Sequence, residues 1–563
     1  MYHYKYKIVN NMKSIFKIQN ILLLIGLTFT ACDNYIEEEF YNAVTSESFL
    51  TEDNADQLVA GVYVSLRNVY KNYDIMFSGT DMFTSQDDVT SNSAANDYFG
   101  LTATNGGFIG YWAANYNMIA DANIAINRYE NQINWSDSKL GDRDYGIAQA
   151  RALRALGFYN LAKHYGGVVL ELEETTSIRL DYTRSSEEAT FNQIITDIEA
   201  AIPNLVDAPQ TGRISKRAAQ HLLADVYLTR AYKSFGSDAD FTTAANLAVQ
   251  AIGSYDIRSQ SYAQVFDYGN QVNPEVLFAV QYGSNGEFND RNNSKHAIFM
   301  NPVDNYVGIG RNNPYGANNT SLMPTPRFFE LLADNDSRDD VTLHRVLFAD
   351  EDAVFTSPEG TDNVVVGDTI AYYPKMALDN AELTDKLNRY WVYQPDQYLF
   401  GLPDNIPGVV YQYSSNVLRT NFPIFKKFDD VGIDAENGGS RDTFVFRVSE
   451  THLIAAEAFL GASNTSSALS HLNVVRERAT GVANHYTTVN IDNILDERAI
   501  ELAGEEDRWA VLKRTGKLQE RVNAYNPHNA DHGAFSSDTH LVRAIPDDEV
   551  GLSDGALEQN PNY

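Results

Sequence analysis

The chain has 563 residues, 43 Lys and Arg against 75 Asp and Glu, and a formal net charge of −32. A surface that acidic repels phosphate backbones and anionic membranes, which excludes nucleic acid as an expected partner. Apolar residues at 44% and aromatics at 12% exclude global disorder and suffice for several domains, or for one core with large insertions.

In chain order, residues 1–31 read as a secretion leader. Lys5, Lys7, Lys13 and Lys17 come without an acid, the apolar run Ile21 to Phe29 follows, and small Thr30 and Ala31 close it. About nine apolar residues cannot cross a bilayer that needs roughly twenty. Met12 is an alternative start to Met1. Without the leader and its four lysines, the chain keeps 39 of its 43 basic residues and all 75 acids. The only cysteine, Cys32, comes next; with no second thiol it is free, intermolecular or modified. Phe29-Thr-Ala-Cys32 resembles a bacterial lipobox, with Phe29 where leucine is usual. The acidic DNYIEEE behind it resembles the export signal of Bacteroidota lipoproteins. The resemblance implies cleavage before Cys32, palmitate-type acylation of Cys32, and anchoring at the cell outer membrane, facing the exterior. No other stretch is apolar enough to span a membrane, so lipid is the one attachment expected.

Residues 32–255 read largely as helices at a 3.6 period. KRAAQHLLADVYLTRAYK sets Ala218, Ala219, Leu222, Leu223, Val226 and Tyr227 on one stripe. ARALRALGFYNLAKHYGG sets Ala155, Tyr159 and Ala162 on one side and offers Gly166 and Gly167 as a C-cap. Further amphipathic segments fall at about 54–70, 112–130, 187–203 and 241–253. Small and large residues alternate between short loops as in tetratricopeptide-like helix pairs, although no clean 34-residue period survives. Residues 256–440 turn to Asn, Gly, Asp, Pro and aromatics with short β-like runs, EVLFAVQY and GDTIAYY, and residues 441–563 return to helix before a Pro/Asn/Gly tail. The expected fold class is therefore mainly α: a tetratricopeptide-like helical scaffold with a large loop-rich insertion containing short β segments.

Along nearly the whole mature chain the residues resemble the SusD/RagB family. The blocks include SFLTEDNADQLVAGVYVSLR, YWAANYNMIADANIAINR, ARALRALGFYNLAKHYGGVVL, GRISKRAAQHLLADVYLTR, MPTPRFFELLADNDSRDD, RVSETHLIAAEAFLGA, DERAIELAGEEDRWAVLKRTGKL and the ending QNPNY. Each is soft alone; their order and spacing carry the resemblance. It implies a surface lipoprotein that captures oligo- or polysaccharide and delivers it to a SusC-like TonB-dependent outer-membrane transporter. The RagB side of the family implies peptide uptake as the alternative, and a non-catalytic transporter lid or scaffold is a third.

No enzyme is expected, and no cofactor or metal: zinc-helix, nucleophile-elbow, phosphate-loop and paired CxxC motifs are absent. The run Asp334–Asp340 lacks the glycine and glutamate of an EF-hand and reads as a structural charge network. Glu497, Glu501 and Glu505, four residues apart, read as an ion-paired helix face with Arg498 three residues from Glu501 and Arg508 three from Glu505. Trp112 and Trp509, inside helical blocks, read as core.

Sugars present hydroxyl rims and apolar C–H faces, so a site needs aromatic platforms and directional polar groups. Three loop-like stretches mix both: Asn96, Asp97, Tyr98 and Phe99; Arg291, Lys295, Tyr306, Arg311, Asn312 and Tyr315; and Tyr390, Trp391, Tyr393 and Tyr398. Family resemblance points to the first as a ligand region. Trp391 is the leading single candidate. The cations Arg291, Lys295 and Arg311 in one stretch point to an anionic algal glycan such as ulvan, unless they balance Glu287, Asp290 and Asp304.

Overall fold

A computed structural model describes residues 50–563 except 86–93, 284–292, 302, 304–305, 311–321, 358–359, 399–421, 431–437, 533 and 554. The leader, Cys32, Arg291, Arg311, Asn312 and Tyr315 lie outside the described residues.

Ten helices carry the scaffold: α1 (Asp56–Val69), α2 (Gly106–Asn131), α3 (Leu140–Tyr165), α4 (Glu187–Ala201), α5 (Lys216–Ala231), α6 (Asp238–Ile252), α7 (Val448–Gly461), α8 (Thr465–Thr480), α9 (Ile491–Glu501) and α10 (Arg508–Arg514). From α1 to α8 each packs on the next, as stacked helix pairs do when no pair can bury its apolar face alone. Local chemistry sets the ends. The Ser186 and Ser215 hydroxyls accept the Ala189 and Ala218 amides at the starts of α4 and α5, and Asn490 closes a capping box on α9. Helix α3 ends at Gly166, whose φ of +78° a side chain would strain. Within α5, Ala218, Ala219, Leu222, Leu223 and Val226 are buried, while Tyr227 is half-buried at the edge of the stripe. Helix α3 is buried nearly all round, because α2 covers one side and α4 the other. Gly146 makes room there: a Cβ at that position would stand 2.1 Å from the Tyr129 ring of α2.

Helix α6 packs directly on α7 although residues 253–447 separate them in sequence. The strands are β1 (Phe83–Ser85), β2 (Val276–Val280), β3 (Leu322–Pro324), β4 (Leu343–His344), β5 (Val346–Phe348), β6 (Ala353–Ser357), β7 (Gly360–Val364), β8 (Thr369–Tyr372), β9 (Trp391–Val392), β10 (Ile424–Phe425) and β11 (Thr443–Arg447). Antiparallel pairing of β2 with β11, from Thr443↔Val280 to Arg447↔Val276, fastens the base of the insertion just before α7 begins. Pairs β1–β3 and β4–β10, the hairpin β6–β7 and the three-stranded sheet β5–β8–β9 complete the strands.

The acidic helix face is not solvated. Glu497 and Glu501 are buried, and their cations arrive from other elements: Arg338 Nη1 lies 2.7 Å from Glu497 and 3.1 Å from Glu501, Arg447 lies 3.1 Å from Glu501, and Arg478 also pairs with Glu501. Glu505 takes Lys427 at 2.5 Å and Arg447 at 2.6 Å. The expected pairs within the helix do not form, since Arg498 binds Glu506 at 2.7 Å and Arg508 reaches Asp81 at 2.7 Å. Burial would raise the Glu501 carboxyl, but Arg478, Arg447 and Arg338 outweigh it and hold it at about 2. Within Asp334–Asp340, Asp336 binds Arg338 and Arg476, and Asp339 binds Arg345 and Lys375. Trp509 is fully buried, with the Arg543 guanidinium 4.1 Å from its ring centroid.

Candidate functional site

Most of the aromatic and polar residues expected at the ligand turn inward. In the third stretch, the Trp391 backbone pairs with Ala371 in parallel register, and the Tyr393 amide donates to the Tyr372 carbonyl at 3.0 Å. Side chains alternate along the strand, so Trp391 points away from Val392 and its partner Tyr372, while Tyr390 precedes the strand in a bend, its amide donating to the Lys386 carbonyl at 3.0 Å. Tyr393 is buried, stacked on Tyr373 with ring centroids 5.3 Å apart. Tyr306 is buried against the same pair, its hydroxyl 2.7 Å from that of Tyr373. Tyr398 is buried too and donates to the Pro374 carbonyl at 2.7 Å. Tyr306, Tyr393 and Tyr398 therefore pack the insertion itself, because each hydroxyl finds a protein partner and each ring a protein ring.

Trp391 is half-buried, edge-on to Phe355 at 5.6 Å. On the other face, Tyr390 and Tyr372 flank the Lys386 ammonium, which lies 3.3 Å from the Tyr390 hydroxyl and 5.5 Å from the Tyr372 ring centroid. A single platform of Tyr390, Trp391 and Tyr393 is thus not formed.

Lys295 is also buried, its ammonium over the Phe428 ring at 4.6 Å. Burial lowers it to about 7. It offers no exposed cation to an anionic ligand.

The first stretch divides within four residues. Asn96, Asp97 and Tyr98 are buried, whereas Phe99 is 70% exposed. The Tyr98 hydroxyl donates to the Gly79 carbonyl at 2.6 Å, the Gly79 amide donates to Asn96 Oδ1 at 3.2 Å, and Asp97 Oδ1 accepts the Phe99 amide at 2.9 Å. The Asn96 side-chain amide in turn reaches Thr84 at 3.2 Å and His528 Nδ1 at 2.9 Å.

Sequence reasoning missed one concave surface, a groove of about 530 Å³ lined by Tyr116, Asn117, Arg179, Leu180, Tyr182 and Leu552 among others. Ile178 at its edge is 93% exposed, and Arg179 stacks on Tyr182 at 5.0 Å. The signal was the alternation of apolar and charged residues in Ile178–Tyr182, which has no helical period. Among the described residues, no group of three or more His, Cys, Asp or Glu side chains gathers as metal ligands do. No helix among them is long and apolar enough to cross a membrane.

The SusD family pattern matches residues 274–563, and a second one, described as starch-binding associating with outer membrane, matches 34–228. The chain belongs to the SusD family. SusD-like protein P2 of Formosa agariphila is 25% identical over 580 residues, covering 97% of this chain and 99% of that one. A SusD-like protein of Bacteroides ovatus is 23% identical over 504 residues, covering 87% and 80%. Among solved structures, a SusD homolog from Bacteroides thetaiotaomicron superposes with a TM-score of 0.70 at 19% identity, covering 92% of this chain and 99% of that one. A laminarin-binding SusD-like protein gives 0.66 at 21% identity, covering 91% and 100%. Surface glycan-binding protein A of Bacteroides thetaiotaomicron, in complex with laminarihexaose, gives 0.64 at 19%, covering 91% and 100%. These likenesses show the SusD fold.

Proposed function

We propose that this SusD-family protein is a surface lipoprotein, acylated on Cys32, that captures an oligo- or polysaccharide without altering it and hands it to a SusC-like TonB-dependent transporter. Family membership carries the reading, together with the two solved relatives named for laminarin or bound to laminarihexaose. The leader and lipobox supply the anchor, and the acidic surface leaves lipid as the membrane contact.

A neutral glucan fits best. Lys295, one of the three cations that favoured a charged glycan, is taken up by Phe428 and the protein interior. An anionic algal glycan such as ulvan rests on Arg291 and Arg311 alone. Peptide uptake remains the competing class.

The mature chain carrying Cys32→Ser, so that no lipid is attached, is run by affinity electrophoresis through gels of laminarin, starch, ulvan and alginate. Retardation by laminarin or starch supports the neutral-glycan reading, and retardation by ulvan or alginate alone moves the ligand to the anionic class. No retardation in any gel, with binding of casein peptides by calorimetry, overturns glycan capture in favour of peptide uptake. Radiolabelled palmitate incorporated into the wild type and absent from Cys32→Ser tests the anchor, and co-purification with a TonB-dependent transporter tests the partner.

A further inference from the structure

We propose that the Arg543 guanidinium holds a small monovalent anion of chloride size inside the fold, with the Trp509 indole N–H as a second donor. Arg543 is fully buried and covered by rings: its central carbon lies 4.1 Å from the Trp509 ring centroid, 4.5 Å from that of Phe108 and 5.6 Å from that of Tyr98. A ring answers the face of a guanidinium, where π electrons meet the charge. It does nothing for the N–H groups, which lie in the guanidinium plane and point outward from its edge. No protein group answers that edge. Among the described residues, Nε, Nη1 and Nη2 of Arg543 all lack a hydrogen-bond partner, and so does Trp509 Nε1. The Tyr98 hydroxyl is near enough to feel both side chains, but it stands outside hydrogen-bond geometry with them and donates to the Gly79 carbonyl at 2.6 Å.

A buried guanidinium with an unanswered edge costs more than a buried amide in the same state, because its charge is desolvated along with its donors. Buried polar groups almost always find a partner, and where the chain supplies none the acceptor is water or an ion. Charge decides between the two. Lys163 pairs with Asp507 at 3.2 Å, and the Lys233–Glu187 pair beyond it, at 2.6 Å, is neutral as a unit. Lys513, its ammonium 5.3 Å from the Trp509 ring centroid, donates to the Lys163 carbonyl at 2.7 Å rather than to a carboxylate. His164 stacks on Trp509 at 5.1 Å, and burial holds both it and His540 at about 4, so neither is charged at pH 7. Two positive charges, the fully buried Arg543 and the half-buried Lys513, therefore stand by one indole without a counter-charge, and water neutralises neither.

The surroundings set the class of ion. Tyr98, Phe108, Tyr165 and Trp509 are all buried, so an occupant must shed its water, which a halide does more readily than phosphate or sulfate. The one carboxylate close to Trp509, that of Asp507, is already taken by Lys163 and by His164 at 2.8 Å. Such an ion joins parts of the chain far apart in sequence: Phe108 in α2, Trp509 in α10, and the closing segment that carries Arg543. That segment is fastened to α3 as well, since the Arg543 amide donates to the His164 carbonyl at 2.8 Å and its carbonyl accepts the Asn560 side chain at 2.7 Å. Occupancy thus locks the C-terminal segment onto the helical scaffold, and the halide concentration around the protein sets part of its stability.

The mature Cys32→Ser chain is crystallised from sodium bromide, and its melting temperature is followed as bromide or chloride replaces gluconate, too large for the site, at constant ionic strength. The expected result is a bromine anomalous peak within hydrogen-bond reach of the Arg543 edge and of Trp509 Nε1, with a melting temperature that rises with halide and saturates. Trp509→Phe keeps the ring and removes one donor, and in it the half-saturating halide concentration rises about tenfold. Arg543→Met abolishes the peak and the halide dependence together; where that variant fails to fold, Trp509→Phe and the bromide map of the parent still decide. A peak at the site with a melting temperature indifferent to halide, or equally halide-dependent in Trp509→Phe, means an adventitious ion only and overturns the built site. Water in the place of bromide, or one response to gluconate and halide alike, overturns the proposal outright. Glycan capture stands or falls separately, since the site does not depend on it.

Discussion

The cluster around Glu501 and the turn at Phe99 are both dense in chemistry-bearing residues, and they use that density in opposite directions. In the cluster, Glu275, Asp336, Glu497, Glu501 and Glu505 meet Arg338, Lys427, Arg447, Arg476 and Arg478 inside the protein, so each charge ends on a protein partner. At the turn the polar groups also end on protein partners, while Phe99 beside them is 70% exposed. Density that closes on itself holds the fold; at the turn, part of it faces solvent.

Breaking the closed cluster produces the largest effect. Arg338→Ala removes a cation that touches Asp336, Glu497 and Glu501 at once and leaves them to Arg476, Arg447 and Arg478, and a loss of about 3 kcal/mol is expected in urea unfolding. Acid attacks the same place more gently. The Glu501 carboxyl sits at about 2 in the folded protein against an ordinary 4.5, so its stabilisation is fully present above pH 4.5 and is lost as pH falls toward 2. That shift corresponds to about 3 kcal/mol, and Glu501→Gln flattens this part of the profile of melting temperature against pH.

Lys295 is an exception to the closure, a buried ammonium over a phenyl ring with no carboxylate in ion-pair contact among the described residues. Lys295→Met is expected to stabilise by about 1 kcal/mol or more at neutral pH. With a folded value of about 7 against an ordinary 10.5, the wild type gains stability as pH rises through that window, and the advantage of the variant shrinks over the same range. Smallest of all is Phe99→Ala, which shifts unfolding by no more than about 0.5 kcal/mol; a larger loss would mean the ring packs inward after all.

The helices were legible because periodicity is local: the segment expected at 54–70 is α1 at Asp56–Val69, and the one at 187–203 is α4 at Glu187–Ala201. Ion partners were not. Residues three apart can always reach one another on a helix, so Arg498 with Glu501 was a reasonable pairing. Only the fold brings Arg338, Arg447 and Arg478 nearer to Glu501 and gives Arg498 to Glu506. The aromatic stretches divide for a related reason. Composition marks Tyr98 and Phe99 alike, and only the backbone conformation of Tyr98 separates the buried ring from the exposed one.

The meeting of α6 with α7 makes residues 253–447 a loop whose two ends share one exit. Closure entropy grows only logarithmically with such a loop, about 0.6 kcal/mol per doubling of its length, so the stack of helices is nearly indifferent to how much chain is carried there. What it does require is a key: Arg338, Lys427 and Arg447 come from the loop and neutralise Glu497, Glu501 and Glu505 in the stack. The stack therefore tolerates exchange of the rest of the loop, so long as each replacement brings those three cations back to the lock.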